Sequence, residues 1–152
     1  MKTFGAVVFG YVVTALVVYG GLAIAWSAMG AEDALEPGRW EPTDTWILTT
    51  LVVGLLAAIL GGFAAAHVSG GTRAPRMLAV VVFVLGVAMA MPTLGRAVSE
   101  APRLDGPIPM TIAIQETRTP SWVAFANAFL GAGGVLIGAQ RRFAGLDRSE
   151  NP

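Results

Sequence analysis

Few residues in this chain could do chemistry, and their spacing narrows the options further. The chain has 152 residues, no cysteine and one histidine, His67. Without cysteine there can be no disulfide, thiolate zinc site, iron–sulfur ligation or thiol nucleophile. The His67 imidazole could ligate the metal of a haem or chlorophyll, as neutral imidazole does in membrane bundles. No second ligand accompanies it at a suitable spacing, so an interfacial histidine near Arg73 and Arg76 is the plainer expectation. No cofactor is predicted, and haem or chlorophyll on His67 is the one option the residue types leave open. Carboxylates gather at Glu32, Asp33, Glu36, Glu41 and Asp44, without the D-x-D-x-D-G order of a calcium loop. They read as a solvated surface. There is no Ser/His/Asp set, zinc spacing, P-loop or nucleotide fingerprint. No catalytic constellation and no metal site are predicted, and an enzyme is not expected.

The elements that must carry these residues follow from composition. Hydrophobic residues make up 55% of the chain and charged residues only 13%, with formal net charge zero. Soluble domains carry about 25% charged residues. Disordered tails and nucleic-acid-binding segments need more charge than this, so nucleic acid is not an expected partner. All charged residues lie outside four runs, 3–31, 45–72, 77–95 and 119–140, of 29, 28, 19 and 22 residues. Crossing the ~30 Å hydrocarbon core takes roughly 20 apolar residues in a helix. Lipid offers backbone groups no partner, so a span must be helical or part of a closed barrel. The runs lack the apolar–polar alternation of barrel strands.

The expected fold is thus an all-α membrane protein. It forms one transmembrane domain over residues 1–152, with four transmembrane helices arranged as two helical hairpins. The spans fall at about Phe4–Met29, Thr45–Val68, Met77–Leu94 and Ser121–Ala139. The first resembles a signal peptide in its Lys2 start and its Ala28-Met29-Gly30 site, but its apolar run exceeds the roughly 7–15 residues of a signal h-region. It is expected to stay as a helix.

Lys2, Arg73, Arg76, Arg141, Arg142 and Arg148 fall on one side of such a topology, and Arg39, Arg96, Arg103 and Arg118 on the other. The positive-inside rule then places both termini in the cytoplasm. Nine arginines against one lysine suggest a prokaryote, and so a bacterial inner membrane. With the acidic residues included, the cytoplasmic side sums to +4 and the outer side to −4, so the zero net charge is a cancellation across the membrane. Trp26, Trp40, Trp46 and Trp122 all fall near the outer boundary, where indole rings favour the headgroup level.

Outer loops are expected at 30–44 and 95–120, and a short turn at 69–75. In the second outer loop Ile108, Met110, Ile112 and Ile114 alternate with other residues, which predicts a short half-buried strand. That strand is expected to fold down on the helix ends; pairing with the first outer loop or with a partner's sheet are the alternatives. Pro42-Thr43-Asp44-Thr45-Trp46 and Thr119-Pro120-Ser121-Trp122 each set Pro, a hydroxyl and Trp at an outer helix start. Shared helix-start chemistry explains this echo more simply than duplication.

Small residues carry the packing signal. Gly134 and Gly138 form a GxxxG pair, and rows of Ala and Gly run through Gly61 and Gly62. Such residues let helix backbones approach closely in lipid. Packing within the chain is the first expectation, and an interface between chains the second. Asn127 lies about two turns inside the last span, and an amide there should face another helix. Thr14, Thr49 and Thr50 are its possible partners, though hydroxyls can also bond their own helix backbone.

Gly10-Tyr11, Gly61-Gly62 and Trp122 followed by Gly134-Val135-Leu136-Ile137-Gly138 resemble small four-span bacterial inner-membrane proteins. The resemblance spans the chain and implies the fold without implying an activity. The functional expectation is a non-enzymatic accessory, assembly or structural subunit of a larger membrane complex. Its partners would be the bilayer and other membrane subunits, or further copies of itself. A small oligomeric channel or transporter is the alternative. No Asp, Glu, Lys or Arg lies inside a span, which argues against a proton pump or ion-coupled carrier.

Overall fold

The computed structural model describes residues 2–94, 108–117 and 119–147. Four long helices are present: α1 (Lys2–Ala34), α2 (Asp44–Ser69), α3 (Arg73–Ala90) and, later in the chain, α5 (Ser121–Asp147); the short α4 (Met110–Glu116) precedes the last. A 3-10 turn, Met91–Thr93, continues α3. All four long helices are long and apolar enough to cross a membrane. The chain is an integral, multi-pass, all-α membrane protein. Its apolar flanks, such as Leu16, Ile24, Val80 and Met89, are exposed on the bundle and suit lipid.

The helix ends follow ordinary capping chemistry. Thr43 caps α2: its hydroxyl accepts from the Trp46 amide at 3.2 Å. Gly70 closes the same helix in the left-handed region at φ 70, and its N–H donates to the Ala66 carbonyl at 3.0 Å. Gly30 interrupts α1 with φ 73 and ψ 176, a conformation open almost only to glycine, and re-aims the last turn of α1.

The helices form two hairpins, α1 with α2 and α3 with α5, joined chiefly through α2 against α5. The short Gly70-Gly71-Thr72 turn brings α3 back beside α2, but α3 packs more extensively on α5 than on α2. Glycines set the closest approaches. A Cβ on Gly62 would collide with the Val135 backbone, and one on Gly138 with the Ile59 backbone. A Cβ on Gly134 would come within 2.9 Å of Ala58 Cβ. At the α1–α2 crossing, Gly10 and Gly61 face each other across Thr14. Gly86 lies under Ala128 where α3 meets α5. Lipid tails are as apolar as leucine, so dispersion contacts and such backbone proximity hold helices together. The central buried cluster is correspondingly small-residue: Ala6, Ala58, Ala65, Ala74 and Ala79 surround Leu78 and Val135.

One expectation is corrected here. The segment expected as a strand is α4, a helix of two turns. Its amides find acceptors locally: the Ile112 and Ala113 N–H groups donate to the Pro109 carbonyl and the Thr117 N–H to that of Ala113. A lone strand would need an edge to pair with, and Pro109 supplies no N–H to any ladder. Met110 and Ala113, three residues apart, face inward, which is helical spacing. Among the described residues the only β-pairing is an isolated antiparallel bridge, Leu35 with Pro42.

Gly138→Ala should therefore push α2 and α5 apart at a cost of about 1–3 kcal/mol. Gly133→Ala, where nothing lies within 4 Å of the added methyl, should be neutral or stabilising. Thermal melts followed by circular dichroism in detergent separate the two.

Candidate functional site

The most organised part of the molecule is a cap on the end of the bundle where α1 finishes and α2 begins. Trp26 and Ala31, Ala34 and Leu35 form a buried cluster with Ala113 of α4, and Trp40, Trp46, Ile108 and Met110 pack against it. Trp26 and Trp46 meet edge to face, with ring centroids 5.4 Å apart and planes at 76°. This geometry sets the positive edge of one ring toward the negative face of the other.

Hydrogen bonds close the connection beneath the rings. The Thr43 hydroxyl donates to the Asp33 carbonyl at 2.8 Å, and the Thr43 N–H donates to the Ala34 carbonyl at 3.0 Å. The Glu36 amide donates to the Glu41 carbonyl at 2.8 Å and the Arg39 amide to the Glu36 carbonyl at 3.1 Å. Gly38, at φ 69, makes the reversal between them. The acidic first connection is thus a tight, self-bonded turn. The Thr43 hydroxyl bonds both the end of α1 and the start of α2, so one side chain serves as helix cap and clasp.

Beside the rings lies a hollow of about 190 Å³, lined by Leu22, Trp26, Trp46, Thr50, Met110 and Thr117, among others. Its walls are mainly apolar. The Thr50 hydroxyl donates to the Ile47 carbonyl of its own helix at 2.8 Å.

The four tryptophans do not share one environment. Trp26 is buried, Trp40 and Trp46 are half-buried on the cap, and Trp122 is 58% exposed at the start of α5. All lie at the same end of the antiparallel bundle. The paired Pro–Thr–Trp helix starts are therefore alike in sequence and different in packing: Trp46 turns inward onto Trp26, and Trp122 does not. Leu35, fully buried at the centre of the cap, is not marked by the sequence, because it stands among charged residues and carries no periodic signal.

His67 is exposed on the last turn of α2, its ring stacked on Phe63 with centroids 6.2 Å apart. Among the described residues no cluster of three His or carboxylate groups could hold a metal. Asn127 is half-buried and fills the groove at Gly54, its Oδ1 at 3.2 Å from where a Cβ would stand. Its possible threonine partners each donate within their own helix. Thr14 donates to the Gly10 carbonyl and Thr49 to that of Thr45, each within its own helix as Thr50 does. Gly61, Gly62, Gly134 and Gly138 all sit at helix crossings within the chain.

Thr43→Ala should cost about 1–2 kcal/mol, as loss of a helix cap does, and should speed amide exchange over residues 31–46 ahead of the rest of the chain. Hydrogen exchange read by mass spectrometry checks both the size and the place. Asn127→Leu, close in size, should fold and melt higher, since among the described residues the amide has no hydrogen-bond partner. A lower melting temperature would reveal a partner for it.

No known protein family, no curated protein and no solved structure matches the chain. The chain is a four-span membrane bundle with a folded cap at one end.

Proposed function

We propose that the protein is an accessory or assembly subunit of a larger membrane complex, in a bacterial inner membrane with both termini in the cytoplasm. One observation carries this reading. Tyr19 lies on α1 between the Gly10–Gly61 and Gly21–Val53 contacts, inside the span, yet it is 67% exposed and makes no hydrogen bond among the described residues. A side chain on a helix leans toward the N-terminus, so the phenol points further into the span and away from the nearer helix end. A hydroxyl in hydrocarbon without a partner is unfavourable by about 2 kcal/mol or more. A helix from another subunit would supply the acceptor and cover the least buried of the four spans. Ala15 and Ala23, one turn to either side of Tyr19, allow a close approach.

The charge distribution supports the orientation, because Lys2, Arg73, Arg76 and Arg141 share one end of the bundle. The resemblance to small four-span bacterial membrane proteins agrees with the placement. Purification at native expression in mild detergent should bring down a stoichiometric membrane partner. Tyr19→Phe should weaken its retention while leaving the thermal melt of the isolated chain unchanged. A lone monomer in several mild detergents, or solute flux in liposomes above that of empty vesicles, would overturn the proposal.

A further inference from the structure

The end of the bundle opposite the tryptophan cap has a chemistry of its own. It is built from the start of α1, the α2–α3 turn and the later part of α5, and it carries Lys2, Arg73, Arg76 and Arg141. Among the side chains described, which in α5 run no further than Arg141, none at this end is acidic. The described carboxylates Glu32, Asp33, Glu36, Glu41, Asp44 and Glu116 all stand at the cap end. Neither Arg73 nor Arg76 has an ion-pair partner among the described residues, and both are exposed.

A hollow of about 240 Å³ opens here between the first turn of α3 and α5. Pro75 and Ala139 are buried in its floor, and Leu136 is a half-exposed apolar wall. Thr72, Arg76 and Gln140 supply the polar groups. The Thr72 hydroxyl is not used to cap α3, and Pro75 offers no N–H to compete with a ligand. In both helices the hollow sits where charge gives way to apolar sequence: after Arg76 the next charged residue is Arg96, and before Arg141 it is Arg118. In a bilayer such a charge-to-apolar boundary falls near the lipid headgroups. The hollow is small and open to the surface, so it suits a headgroup rather than acyl chains. Chains would run out over Leu136 and Met77, both more than 40% exposed.

We propose that this hollow binds the headgroup of one anionic phospholipid, with Arg76 and Gln140 donating to the phosphate and Thr72 at its edge. Arginine suits this task because its planar donor fork matches phosphate oxygens. A soluble phosphate would leave the neighbouring apolar wall uncovered, whereas a lipid of the surrounding leaflet satisfies both halves of the hollow. Basic pockets between transmembrane helices bind anionic headgroups in just this way.

The test uses the full chain extracted from liposomes of mixed phosphatidylglycerol and phosphatidylcholine, with retained lipid counted by native mass spectrometry. Wild-type protein should keep one phosphatidylglycerol. Arg76→Gln should lower that retention about fivefold, and Arg73→Gln, the same charge change one turn away but outside the hollow, should lower it little. Gln140→Leu is a second probe of the hollow and should also reduce retention. Melts in pure phosphatidylcholine nanodiscs should be equal for all four proteins. Equal losses for Arg73→Gln and Arg76→Gln, or equal retention of phosphatidylcholine, would overturn the site in favour of diffuse surface charge. Displacement of the lipid by excess inorganic phosphate would overturn it in favour of a soluble anion.

Discussion

The contact on which the bundle depends is the approach of α2 to α5, where Gly62 meets the Val135 backbone and Gly138 the Ile59 backbone. In water a four-helix bundle is driven together by expelling solvent from leucine-rich faces. In lipid that drive is absent, because the alternative to a neighbouring helix is an equally apolar acyl chain. What remains is the gain from many close atom pairs, and each pair contributes only about 0.1–0.2 kcal/mol. Glycine increases their number by letting whole backbones touch. The two hairpins, α1–α2 and α3–α5, are joined at this seam, and the position of every other helix is set relative to it.

The seam also explains why the ends differ. At one end α1 breaks at Gly30 and the chain returns through a turn held by Thr43. Trp26, Trp46 and Leu35 bury the reversal, and α4 lies over it. At the other end α2 and α3 are joined by a turn of three residues, too short to fold over the helix ends. The hollow beside Arg76 lies there between the first turn of α3 and the 136–140 stretch of α5. One end has thus closed its backbone turn internally, and at the other Arg73 and Arg76 are exposed without an ion-pair partner among the described residues. A protein that is neutral as a whole presents two faces of opposite character to whatever surrounds it.

Several features were legible residue by residue. The Thr43 cap was readable because a hydroxyl before an apolar run is helix-start chemistry, and Gly134 and Gly138 stood out by their spacing. The strand expected at residues 108–114 fails for a physical reason: alternation over so few residues fits a strand face and, at Met110 and Ala113, a helix face equally well. Only the absence of a pairing edge decides between them. For Asn127 the sequence left two readings of the threonines open, as partners or as hydroxyls bonded to their own helix, and the structure takes the second.

By itself the sequence determined the number of spans, the all-helical architecture and the separation of charge between the two ends. Hydrocarbon excludes charge and forbids unpaired backbone, and both constraints are written along the chain in one dimension. Tertiary structure alone decided which faces turn inward. Helices α1 and α2 are apolar nearly all round between their ends, and a residue facing lipid looks like one facing another helix. That Trp46 packs inward and Trp122 outward, that Gly62 meets Val135 rather than open space, and that Arg76 and Gln140 share one hollow all depend on helix rotation. Rotation is fixed by which backbones can approach most closely, and that is a property of pairs of helices.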